Sequence, residues 1–216
     1  MSPPEERTCP SSRIVLSGLD FEMSMKRICV FCGSSFGRNS EFAAAATAIA
    51  AHLVTANIGI VYGGSNRGLM GIVADTALGR GGEVIGVRPE ALVDKEIAHR
   101  GLSDLRVVKS MHERKALMSD LADAFIALPG GYGTLDEFCE VLTWSQLGLQ
   151  EKPCGLLNVQ GYYDSLLRMF DRAHKEGFVK SEHREMVVSD EDPAKLVGAL
   201  RNARVPTVKK WLDIPT

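Results

Sequence analysis

The stretch Leu128-Pro129-Gly130-Gly131-Tyr132-Gly133-Thr134-Leu135-Asp136-Glu137 carries the residue types best suited to chemistry in this chain. Three glycines crowd a turn between an apolar run and a helical pattern that begins at Leu135. Glycine lets bare backbone come close to a ligand, and a helix N-terminus presents unpaired N–H groups to an anion. The stretch therefore predicts a phosphate site, with Glu137 in the first helical turn, close enough to act on whatever the phosphate holds. The same letters have a structural reading. Thr134-x-x-Glu137 fits a capping box, in which the threonine caps the helix and the glutamate reaches back to its N–H. Local sequence leaves both open.

A second cluster, Met111-His112-Glu113-Arg114-Lys115, opens a helical pattern just upstream of the strand that leads into the glycine loop. Arginine and lysine in a first helical turn oppose the macrodipole, which prefers anions there, and they become sensible beside an anionic ligand. A solvated basic pair is the alternative. Other signatures fail. Gly63-Gly64 followed by Gly68 is not GxGxxG, and neither GxxxxGK[ST] nor GxSxG occurs. Cys29-Val30-Phe31-Cys32 has redox or zinc spacing but lies in an apparent strand, where positions i and i+3 face opposite ways. Buried structural thiols are expected. His52, His99, His112, His174 and His183 form no paired-ligand spacing, so no metal site and no cofactor are expected.

These residues must be positioned by the elements around them. Apolar β-rich runs at 26–32, 59–62, 83–87, 105–108, 124–128, 154–159 and 186–189 alternate with helical patterns at 40–56, 68–78, 111–121, 135–147, 162–176 and 193–201. Continuous apolar strands separated by helices predict a parallel sheet covered on both faces, a three-layer doubly wound Rossmann-like α/β domain. Ligands in such sheets bind beyond the carboxyl ends of the strands. Three of those ends are glycine-rich: 33–37, 63–68 and 130–133. Their agreement predicts one shared site, with Ser34 and Gly64 among its contacts. Strand order is not encoded in the pattern.

At 216 residues and 45% hydrophobic content, the chain suits one domain with an ample core, assigned to residues 25–204. Residues 1–24 hold three prolines and two adjacent acids without a periodic pattern, and read as a disordered extension; 205–216 read as a tail. A net charge of −2 gives no footprint for nucleic acid, and no apolar run reaches the ~18 residues of a membrane span. Five cysteines, an odd count, suit a reducing cytoplasm.

Met-His-x-Arg-Lys followed by Pro-Gly-Gly-x-Gly-Thr-x-x-Glu resembles the Lonely Guy family of cytokinin riboside 5′-monophosphate phosphoribohydrolases. The likeness runs from about residue 26 to 190. It includes Cys32-Gly33-Ser34-Ser35, Tyr62-Gly63-Gly64 with Gly68-Leu69-Met70-Gly71, Leu142-Thr143-Trp144, and Lys152-Pro153 through Asn158-Val159-x-Gly161-Tyr162-Tyr163. Arg88 departs from it, standing where the family favours an apolar residue.

The resemblance implies cleavage of the N-glycosidic bond of a nucleoside 5′-monophosphate, AMP or its N6-modified forms, to free base and ribose 5-phosphate. Glu137 would be the catalytic carboxylate, taking a proton from water and stabilising an oxocarbenium-like transition state. Arg114 would orient it, the sugar or the phosphate. Gly130, Gly131, Tyr132, Gly133 and Thr134 would hold the phosphate, with Lys115 in support. Glu96 and Thr143 are further candidates, their structural alternatives being a solvated loop acid and a helix threonine bonded to its own backbone. The helix at 135–147 is apolar on more than one side, Trp144 and Leu147 facing away from Phe138, Val141 and Leu142. With the family's habit of assembly, this predicts a homodimer or higher homo-oligomer. Rival classes are a nucleotide-binding regulatory module without turnover and a pyridoxal-phosphate decarboxylase, which would need a Schiff-base lysine.

Overall fold

The computed structural model describes residues 25–93, 99, 101, 102 and 104–206. The expected extension at 1–24, Glu96 and most of the expected tail lie outside the described residues. Seven strands form one sheet: β1 Arg27–Phe31, β2 Gly59–Tyr62, β3 Val84–Pro89, β4 Asp104–Val108, β5 Ala124–Ala127, β6 Cys154–Leu157 and β7 Val187–Asp190. Every pairing is parallel, in the order β4-β3-β2-β1-β5-β6-β7.

Helices α1 Ser40–Thr55, α2 Gly68–Leu78, α3 Glu90–Val93, α4 Met111–Leu121, α5 Tyr132–Gln146, α6 Asp164–Lys175, α7 Ser181–Arg184 and α8 Pro193–Asn202 make the connections. Two apolar clusters lie on opposite faces of the sheet. Ile28 and Val30 of β1 join α1, α2 and α8 in one; Cys29 and Phe31 join α4, α5 and α6 in the other. This alternation is the period-2 geometry of a strand buried on both sides. It places Cys29 and Cys32 in different clusters, so the CxxC spacing makes no thiol pair.

The chain winds outward from β1 to β4, then returns to pair β5 on the other side of β1. The loops after β1 and β5 leave this switch point side by side, where a doubly wound sheet opens its crevice. Gly33 N–H donates to the Pro129 carbonyl (3.1 Å), and Leu69 N–H to the Gly33 carbonyl (3.0 Å), so all three glycine-rich strand ends converge. Gly68 makes the approach possible: its φ is +57°, and a Cβ there would collide with the Ser34–Ser35 backbone.

Two expected helix boundaries are corrected. α5 begins at Tyr132, not Leu135, with Gly131 as its N-cap. The helix expected from Tyr162 begins at Asp164, behind a 3₁₀ turn at Val159–Gly161. Positive φ at Gln160 and Gly161 breaks the run, and the Asn158 side chain closes the turn through Tyr163 N–H and Asp164.

Candidate active site

The earlier start of α5 removes the capping-box reading of Thr134 and Glu137. Thr134 is the third residue of the helix, not its cap, and α5 has no side-chain cap at all. A related cap belongs to α4, with its glutamate bonded one residue ahead of the N-cap. Ser110 caps that helix by accepting from Glu113 N–H (3.1 Å), and the Glu113 carboxylate accepts from Lys109 N–H (2.9 Å). Glu113 thus fills the first turn of α4, and Arg114 and Lys115 follow it. The macrodipole conflict expected for the basic pair does not arise.

Glu137, one turn further along α5 and free of capping, turns to Arg114. Arg114 Nη1 donates to Glu137 Oε1 at 2.5 Å, with both residues buried, at 8% and 9% exposure. Arg114 Nε donates to the Val87 carbonyl of β3 (3.1 Å), so a strand end fixes the guanidinium plane. Gly63 packs so closely on Arg114 Nη2 that any side chain there would displace it. Burial pushes the Glu137 carboxyl above its ordinary pKa of 4.5, against the opposing pull of Arg114. A buried carboxylate held in place with raised proton affinity is the pattern of a general base.

A cavity of about 330 Å³ opens over this pair. Its walls bring together Ser34 from the β1 loop, Gly131, Tyr132, Gly133 and Thr134 from the start of α5, and Arg114 and Glu137. The first turn of α5 carries no acid and no cap, so its N–H groups are available to an anion. Two adjacent tyrosines steady the loop from below. Tyr162 donates to the Gly130 carbonyl and Tyr163 to the Leu128 carbonyl, each at 2.5 Å.

Four expected contacts stand elsewhere. Gly130 lines a neighbouring cavity, which shares Gly33, Ser34 and Gly131 with the first. Gly64 stands behind the wall, its carbonyl accepting from Arg88 Nη1. Lys115 is held between Asp136 (3.3 Å) and Glu140 (3.0 Å); burial lowers its pKa, but these carboxylates outweigh that and leave it raised. Thr143 lines a separate groove beside Phe170 and His183, and its hydroxyl donates to the Cys139 carbonyl (2.7 Å), the local bond that helix threonines favour. The cavity also takes in residues that motif reading passed over: Met70, Arg88, Met111 and Asp136. Asp136 sits inside the glycine motif and was within reach of the same argument. Both methionines stood in the motif text, Met111 beside Arg114 and Met70 in Gly68-Leu69-Met70-Gly71, without a site role assigned to either.

The chain is similar to known proteins in both sequence and fold. A family model described as "possible lysine decarboxylase" matches residues 70–200. Cytokinin riboside 5′-monophosphate phosphoribohydrolase LOG1 of Arabidopsis thaliana is 46% identical over 89% of this chain and 93% of its own length. A probable enzyme of the same description from Oryza sativa subsp. japonica, LOGL1, is 52% identical over 76% of this chain and 73% of its own. Among solved structures, the molybdenum cofactor carrier protein of Chlamydomonas reinhardtii shares the fold with a TM-score of 0.61 at 18% identity, over 82% of this chain and 96% of that one. The molybdenum cofactor binding protein of Rippkaea orientalis does so at 0.62 and 19%, over 83% and 98%. At these identities the structural likeness speaks for the fold, and the plant sequences speak for the family. The chain belongs to the Lonely Guy family of cytokinin riboside 5′-monophosphate phosphoribohydrolases.

Proposed function

We propose that the chain hydrolyses the N-glycosidic bond of cytokinin riboside 5′-monophosphates and AMP, releasing the free base and ribose 5-phosphate. The observation that carries this is the buried Arg114–Glu137 pair facing the uncapped N-terminus of α5 across one cavity. The 5′-phosphate sits at the N–H groups of residues 131–134, with the Thr134 hydroxyl and Ser34 beside it. That places the sugar over Glu137.

Water then attacks the anomeric carbon as the bond from carbon to base nitrogen breaks. The bonding electron pair leaves with the base, which takes up a proton. Glu137 accepts the water's proton and its negative charge offsets the cation developing on the sugar. Arg114 holds that carboxylate in place. Lys115, tied to Asp136 and Glu140, pins α4 to α5 beside the pair and acts as a positioning residue.

We also propose a homodimer or larger assembly built on the α5–α6 face. α6 contains no fully buried residue although Leu166, Leu167 and Phe170 pack inward, and Met169 and Phe178 stand 61% and 80% exposed. Trp144 packs partly on the protein's own core, so the exposed apolar surface lies more on α6 than on the outer side of α5.

Comparing AMP with adenosine tests the phosphate grip. Adenine release from adenosine should be far slower than from AMP, because the grip supplies the orientation at the sugar. Equal rates would contradict the placement of the phosphate at α5.

A further inference from the structure

From Leu128 to Gly131 every backbone carbonyl has a donor. Tyr163 Oη donates to the Leu128 carbonyl (2.5 Å), Gly33 N–H to that of Pro129 (3.1 Å), Tyr162 Oη to that of Gly130 (2.5 Å) and Leu135 N–H to that of Gly131 (3.2 Å). The amides differ: Gly131 N–H has no acceptor among the described residues. In a trans peptide the carbonyl and the following N–H point opposite ways. The Gly130 carbonyl and the Gly131 N–H share one such unit, so the bond from Tyr162 sets the direction of the amide. Tyr162 and Gly130 line the neighbouring cavity, whereas Gly131 also lines the cavity over Arg114 and Glu137. A tether on the first side turns the N–H to the second.

Glycine on both sides leaves this peptide few steric restraints of its own. A Cβ at Gly131 would meet nothing within 4 Å, and glycine accepts the backbone angles of either orientation. The tether, by contrast, is held. The Tyr162 ring meets Phe42 edge-on at 5.5 Å and Tyr163 edge-on at 5.0 Å between centroids.

We infer that Tyr162 is a positioning residue for phosphate binding, its hydroxyl fixing the Gly130–Gly131 peptide so that Gly131 N–H faces the nucleotide's 5′-phosphate. This rests on the phosphate placement proposed above and deepens it. Without the hydroxyl the peptide is free to turn, which takes a donor from the anion and sets a carbonyl oxygen against it. The adjacent tyrosine supplies the control. The Leu128 carbonyl that Tyr163 holds shares its peptide with Pro129, which has no N–H to aim. Tyr162→Phe and Tyr163→Phe thus each remove one phenol bond to the same loop and keep the ring, but only the first touches a phosphate donor.

The test measures dissociation constants for AMP and adenosine, with kcat and KM for AMP, in wild type and both variants. Tyr162→Phe should raise the AMP constant about tenfold, leave the adenosine constant within about twofold, and act on KM more than on kcat. Tyr163→Phe should lower the urea midpoint of unfolding and leave AMP binding within about twofold. An unchanged AMP constant in Tyr162→Phe overturns the inference. So does equal weakening of AMP and adenosine, the mark of a merely structural role, or equal weakening of AMP by the two variants. Wild type that binds adenosine as tightly as AMP overturns the phosphate placement itself, and the inference with it. Binding constants carry the comparison where no ribose 5-phosphate is released, so failure of hydrolysis is a separate result.

Discussion

At Glu137 two physical effects compete, and burial outweighs the Arg114 guanidinium, leaving the carboxyl raised above 4.5. In the proposed mechanism Glu137 acts as a base only when ionised. A raised pKa means it takes up its proton at a higher pH than an ordinary carboxylate, so kcat should fall on acidification through a midpoint above 4.5. The measurement is kcat rather than kcat/KM, because the substrate's own phosphate titrates near pH ~6 and would enter through binding. Arg114→Ala removes the group that opposes burial. Its acid limb should move to still higher pH while kcat drops, and a limb that stays put would contradict the pairing. Glu137 and Arg114 were legible as a motif, but the sequence could not say whether the glutamate capped a helix or faced a partner. Arg88 showed only as a departure from the family, because nothing in a strand's letters tells that an arginine points inward to the Gly64 and Leu92 carbonyls.

The elements explain which parts of the site could be read in advance. All seven strands were visible as β-rich runs, the five inner ones because a strand buried on both faces is apolar almost throughout, whereas the edge strands β4 and β7 are only partly buried. That same uniformity hides which strands are neighbours, and the switch point between β1 and β5 emerged only from the structure. The start of α5 was misplaced because Gly-Tyr-Gly reads as a turn, glycine being a poor helix former. Here Gly131 is the N-cap and Gly133 the second helical residue, so neither position has a side chain to shield the N–H groups. The Ser110–Glu113 cap went unread beside the more conspicuous basic pair. It gives a prediction of its own: Ser110→Ala should cost about 1 kcal/mol of stability in urea denaturation. A change near zero would mean that α4 does not depend on this cap.

For the whole molecule, the assembly proposed above would use apolar side chains that the fold leaves exposed. The amphipathic α6, with Met169 exposed on it and Phe178 exposed just beyond its end, borders the groove that Leu142, Thr143 and Phe170 line. Single exposed apolar residues are ordinary on a surface, and the assembly proposed above is what would cover these two. Light scattering at micromolar protein should give a dimer or a multiple of one, and Met169→Glu with Phe178→Glu should shift it to monomer. A wild-type monomer would contradict the assembly. The expectation of assembly came from the doubly apolar helix at 135–147, but Trp144 turned out to serve the core in part, which periodicity alone cannot separate from an interface.

The central claim is that the Glu137 carboxylate carries out the hydrolysis, and Glu137→Gln tests it most directly. Glutamine nearly matches the side chain's size and can still accept from Arg114, so the fold and the phosphate grip at α5 should persist. The amide can neither take the water's proton nor offset charge on the sugar. Release of ribose 5-phosphate from AMP should fall by roughly 10²–10⁴ while the variant remains folded and still binds AMP. Near-normal turnover by folded Glu137→Gln would contradict the mechanism.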